Sequence, residues 1–113
     1  MEISQRTVGG VTVVDLSGEI DLYNSAELKA VLTGIVESKQ VRILLNMKRV
    51  SYMDSTAIGV LVHMLTLLKK HNGALALAET AESIEKVLRL TKLIGFFQLW
   101  ASEAEALAAL KDS

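Results

Sequence analysis

Cysteine and proline are both absent from the 113 residues. Without cysteine there are no disulfides, no thiol chemistry and no thiolate metal site, and such a chain suits a reducing cytoplasm. Without proline no segment is stopped by ring sterics, so helix ends must rest on polar caps and glycines. A dominant charge is missing too: 12 basic residues face 13 acidic ones. Neither sign forms a block, which removes the broad electrostatic footprint of a nucleic-acid or anionic-membrane binder. The opening Met1-Glu2-Ile3-Ser4-Gln5-Arg6 lacks the basic-then-apolar layout of a signal peptide, so a cytoplasmic location is expected. The longest apolar-rich stretch, Ala57 to Leu68, is broken by Gly59, His63 and Thr66. It falls short of the roughly 20 residues of a membrane span and reads as a core helix. No GxGxxG or GxxxxGK(S/T) occurs, so no nucleotide site is signalled, and neither a cofactor nor a metal is expected.

What is present is half hydrophobic and long enough for one core, so a single domain over residues 1–113 is expected. Gly9-Gly10 between Ile3 to Val8 and Val11 to Ser17 suits the positive φ angles of a tight hairpin. Asn24 and Glu27 form a capping-box pattern ahead of Leu28, Val31, Leu32, Ile35 and Val36, which recur at helical spacing. Val41 to Asn46 reads as an interior strand, and Asp54 to about His71 as a helix closed by a left-handed Gly73. Ala74 to Ala78 is a further strand, Thr80 starts a third helix, and Phe96 to Trp100 is a short last strand. Ser102 with Glu105 opens a fourth helix. The alternation predicts an α/β fold: a mixed, mostly parallel sheet of four to five strands with about four helices.

Chemistry concentrates at Asp54-Ser55-Thr56. Thr56, Gly59, His63, Thr66 and Lys70 step by three and four along one helix face, the expected solvent stripe. Ile58, Leu61, Val62, Leu65 and Leu68 are expected to face the sheet, while Val60, Met64 and Leu67, beside the polar row, read either as core between two neighbouring elements or as a partly exposed apolar margin. Asp54 and Ser55 carry two readings. Both are ordinary N-terminal capping types. A hydroxyl beside unpaired helix amides is equally a place where a phosphate is tolerated by the fold and felt by whatever docks outside. A hydrolase reading fails on spacing: Ser55 and His63 are separated by about 12 Å of helical rise, beyond nucleophile–base reach. No glycine-serine-glycine elbow is present. Glu19 and Asp21 lie where a strand hands over to a helix, and read either as a solvated turn or as an acidic contact for a basic partner.

Taken together, Gly18 to Lys29 and Val50 to Leu61 resemble the two hallmark segments of STAS domains, in particular single-domain bacterial anti-sigma-factor antagonists. Length, hairpin start, element order and Leu93-Ile94-Gly95-Phe96-Phe97 agree with that resemblance. It implies a non-enzymatic partner-switching module that binds an anti-sigma factor with serine-kinase activity and frees a sigma factor, regulating transcription. By the resemblance the kinase modifies Ser55, with Thr56 as a second candidate, and a PP2C-type phosphatase restores binding. Ala57 departs from the glycine common at that place and stiffens the first turn. The docking face implied comprises Glu19, Asp21, Asp54, Ser55, Thr56, Gly59 and His63. The alternative is a STAS interaction subunit of a lipid transporter or signalling scaffold without a kinase cycle.

Overall fold

The computed structural model describes residues 1–111. Strands β1 (Glu2–Val8) and β2 (Val11–Ile20) form the opening hairpin, with Gly9 at φ 53° and Gly10 at φ 80° as the primed turn requires. The chain continues through α1 (Ser25–Glu37), β3 (Arg42–Met53), α2 (Ser55–Lys70), β4 (Ala74–Ala78) and α3 (Glu82–Leu90). A single 3₁₀ turn (Ile94–Phe96), β5 (Gln98–Trp100) and α4 (Glu103–Lys111) complete it. The five strands lie in chain order, β1 antiparallel to β2 and all other neighbours parallel. This is the expected mixed, mostly parallel α/β fold.

Because each crossover advances one strand in the same direction, right-handed connections place α1, α2 and α3 on one face. Their Leu28, Leu32, Leu61, Met64, Ile84 and Leu88 share a buried cluster with Val14, Ile43, Leu45 and Leu77 of the sheet. Among the described residues helix α4 alone covers the other face, where Ala106 and Leu110 meet Val11, Val13, Leu44 and Ala76.

Several elements differ from expectation for identifiable reasons. Strand β3 runs to Met53 rather than ending at Asn46. Two register shifts against β2, between Asp15 and Ser17 and between Gly18 and Glu19, break the alternation from which a strand is read. Gly18, at φ 89°, and Glu19 belong to β2, and only Asp21 lies in the loop beyond it. Asn24 makes no cap bond to α1; its Oδ1 accepts from Asp21 N at 2.9 Å and its Nδ2 donates to Glu19 O at 2.9 Å. Its amide thus shapes the β2–α1 loop instead. After α2 the left-handed residue is Asn72, at φ 57°, not Gly73. Helix α3 starts at Glu82 behind Ala81, and the buried Thr80 Oγ1 has no hydrogen-bond partner among the described residues. At α4 the Ser102 half of the expected box forms, its Oγ accepting from Glu105 N at 3.2 Å, while Glu105 Oε2 accepts from the Ser102 hydroxyl at 3.1 Å rather than from the cap N–H.

One ionic cluster crosses this architecture. Arg6 on β1 forks onto Asp15 of β2 at 2.7 and 2.9 Å and onto Glu103 of α4 at 2.6 Å, while Asn46 Nδ2 donates to the same Glu103 at 3.0 Å. The Arg6 guanidinium holds the carboxyls of Asp15 and Glu103 below their ordinary values of 3.8 and 4.5 and is itself raised. Both acids bind protons less readily folded than unfolded, so their contribution is present above those ordinary values and is lost as pH falls through the lowered ones. Exposure limits such a pair to about 0.2–1 kcal/mol. Arg6→Gln is therefore expected to lower stability slightly at pH 7 and to flatten its decline below about pH 4.5. Urea midpoints measured from pH 7 to pH 2.5 check this; parallel curves for the two proteins would contradict it.

Candidate functional site

At the carboxyl ends of β2 and β3 the chain brings the Asp21 loop against the start of α2. Asp54 caps α2 as expected: its Oδ1 accepts from Ala57 N at 2.9 Å. Its second oxygen does what sequence reasoning missed, accepting from Leu22 N at 2.8 Å, and Asp54 N donates to Ile20 O at 3.2 Å. One carboxylate therefore pins the β2–α1 loop to the helix mouth. Asp21 is engaged locally, Oδ1 accepting from Tyr23 N at 2.9 Å while its carbonyl accepts from Asn24 N and Ser25 N.

Ser55 and Thr56 are exposed on the first turn of α2, and Gly59 and His63 follow on the exposed stripe, which continues through Thr66 and Lys70. Glu19 is exposed on β2 opposite Tyr52 of β3. The structure thus gathers Glu19, Asp21, Asp54, Ser55 and Thr56 at one end of the sheet. Gly59 lies about 6 Å and His63 about 12 Å farther down the helix axis. Ala57, where the helix turns inward, is fully buried.

Of the two readings of the α2 boundary, the core one holds for Val60 and Met64. Met64 is 0% and Val60 8% exposed, buried on the side where α1 packs, and Thr33 Oγ1 of α1 donates to Met64 Sδ at 3.9 Å. The half-open apolar residues are instead Val62 and Leu65, with Leu67 half-buried at the margin. Sequence reasoning also missed Leu22, Tyr23 and Tyr52, exposed by 62, 91 and 50% around the Asp54 clamp. The available signal was two large apolar side chains, Leu22 and Tyr23, inside a four-residue polar loop, where nothing buries them.

The arrangement presents an exposed hydroxyl on a fixed helix end, rimmed by carboxylates and bare aromatics. Among the described residues no three histidine, aspartate or glutamate side chains converge as a metal site would require. No helix of the described residues is long and apolar enough to cross a membrane.

Comparison with known proteins places this architecture. The family model for the STAS domain matches residues 2–106, and the chain belongs to that family. The anti-sigma-B factor antagonist of Bacillus subtilis is 38% identical over 81 residues, 71% of this chain and 72% of its own. The anti-sigma F factor antagonist of Paenibacillus polymyxa is 25% identical over 112 residues, 98% of this chain and 96% of its own. The fold is shared with Bacillus SpoIIAA, an anti-sigma factor antagonist solved in unphosphorylated and phosphorylated forms. The TM-scores are 0.77 and 0.76 at 22 and 23% identity, with 99 and 96% of this chain and 100 and 98% of those chains covered.

Proposed function

We propose that this chain is an anti-sigma-factor antagonist, a binding protein rather than an enzyme, whose docking face is switched by phosphorylation of Ser55. The observation that carries the reading is the exposed Ser55 hydroxyl on the first residue of α2, beside the Asp54 cap. The naming of its relatives as anti-sigma factor antagonists supports the class of partner.

The docking face comprises Glu19, Asp21, Asp54, Ser55, Thr56, Gly59 and His63, extended by Leu22, Tyr23 and Tyr52. An anti-sigma factor with serine-kinase activity transfers the γ-phosphoryl of ATP to Ser55 Oγ, the hydroxyl proton leaving to a kinase base and ADP departing; Thr56 is the secondary acceptor. A PP2C-type phosphatase hydrolyses the ester and restores docking. The helix end attracts the new phosphate by about 0.3–1 kcal/mol. The neighbouring Asp54 repels it by about 1 kcal/mol in water. These nearly cancel, so the fold is left alone while nearly two negative charges appear in the contact patch. Partner switching then requires no rearrangement of the sheet.

Incubation with ATP and the cognate anti-sigma kinase is expected to add one phosphate, located at Ser55 by fragment mass spectrometry. Ser55→Asp should weaken binding of that kinase about tenfold or more by calorimetry. Its stability should stay within about 0.5 kcal/mol of wild type. An unmodified Ser55 together with unchanged affinity would return the chain to the alternative, a transporter or scaffold subunit with no kinase cycle.

A further inference from the structure

At the far end of α2 lies a second surface, independent of the Ser55 reading. Val62 and Leu65 open onto a groove of about 270 Å³ whose opposite wall is Leu93 and Phe96 of the α3–β5 connector. The groove leads past Leu65 and Lys69 into a smaller hollow of about 140 Å³ that reaches Gln98 on β5. The connector is firmly held. Lys92, at φ 62°, turns the chain after α3, Leu93 N donates back to Leu88 O at 2.8 Å, and Phe96 N donates to Leu93 O at 2.9 Å. That 3₁₀ turn leaves Phe96 62% exposed while Phe97 beside it is buried. An aromatic fixed in the open over an apolar trough is an anchor without a socket.

Charge defines what fits. Helix α2 contains no aspartate or glutamate and ends in Lys69 and Lys70; Lys69 lines the groove, no acidic residue does, and Lys92 precedes Leu93 of the other wall, whereas Arg89 of α3 is paired with Glu82. The charge that lines the groove is therefore cationic, carried by Lys69. The two hollows continue into one another past Leu65 and Lys69, so the shape suits successive side chains of a helix laid along them. We propose that the groove between α2 and the α3–β5 connector docks an acidic amphipathic helix of a partner protein, apolar side chains against Val62, Leu65 and Phe96 and carboxylates toward Lys69 and Lys92. Along α2, Ser55 lies about 10 Å from Val62 and about 21 Å from Lys69, so the groove begins beside the His63 end of the docking face and leads away from the phosphorylated turn.

The test is a ¹⁵N NMR titration of the full chain with a synthetic helical peptide carrying leucine or phenylalanine at i, i+3, i+4 and i+7 and glutamate elsewhere. A second peptide replaces every glutamate by lysine. Saturable shifts at Val62, Leu65, Lys69 and Phe96 are expected for the acidic peptide alone, strengthened at low salt. Phe96→Ser should weaken them about tenfold, the size of one lost anchor. Lys69→Glu should weaken them while Ser55→Asp leaves them unchanged. Equal binding of the lysine peptide, or no saturable shift at these residues, would overturn the proposal. So would concentration-dependent shifts of the same residues without peptide, which would identify the occupant as a second copy of this chain.

Discussion

Gly73→Ala is expected to destabilise the protein by about 2 kcal/mol, within the range for overpacking a closed interior. The reason is proximity rather than a left-handed backbone. A Cβ at Gly73 would stand 2.8 Å from Val41 Cβ and 3.1 Å from Leu68 Cδ2, and would press on the Val41 carbonyl oxygen. That oxygen accepts from Ala74 N at 2.8 Å, and Gly73 N itself donates to Leu68 O at 2.8 Å. Relief must therefore come from backbone on both sides, at the point where β4 joins β3. Gly59 supplies the contrast, because a Cβ there meets nothing within 4 Å. Gly59→Ala should stabilise α2 by about 0.5–1 kcal/mol through helix propensity alone. At roughly 4 °C per kcal/mol the two melting temperatures should part in opposite directions, the first falling by about 8 °C. A Gly73→Ala protein that melts with wild type would show that the β3–β4 junction is softer than its packing implies.

The pair of glycines also marks what could be read in advance. Gly9-Gly10, Asp54 and the Ser102–Glu105 box act locally, through angles and bonds within four residues, and their elements stand where expected. Strand β3 was hidden because its bulges put Ser51 and Tyr52, both exposed, in succession, which a period of two does not describe. The burial of Val60 and Met64 was one of two readings the pattern allowed. A helical stripe says which residues share a face, but not that a second helix covers that face; α1 does so here. The Arg6–Glu103 contact spans 97 residues and leaves no local trace at all. At the candidate site, Thr56, Gly59 and His63 stand on the surface their spacing assigned to them, and Ser55 beside them is exposed. The second task of Asp54 escaped notice because its partner, Leu22 N, is a backbone group 32 residues away.

Asp54→Ala is expected to have the other large effect, about 2 kcal/mol in stability together with about tenfold weaker binding of the proposed partner while Ser55 is unmodified. Removing the carboxylate strips Ala57 N of its cap, a change of about 1 kcal/mol. It also strips Leu22 N of a charge-assisted acceptor, which is partly replaced by water because that bond is exposed. The second loss carries the functional consequence. Leu22 and Tyr23 have no buried packing to hold them, so the Asp54 bond and the Asp21 and Asn24 turn bonds are what fix their place beside Ser55. Freed, they must be ordered again by the partner, and each immobilised side chain subtracts about 0.5–1.5 kcal/mol from the binding energy. Asp54→Asn divides the two roles, since its single carbonyl oxygen can serve Ala57 N or Leu22 N but not both; it should fall between wild type and alanine in melting temperature. Amide exchange reports the loop directly, and Leu22 N–H should exchange markedly faster in the alanine variant. If Leu22 keeps its protection while the melting temperature drops, the cap alone is at work and the loop owes its position to the Asp21–Asn24 turn.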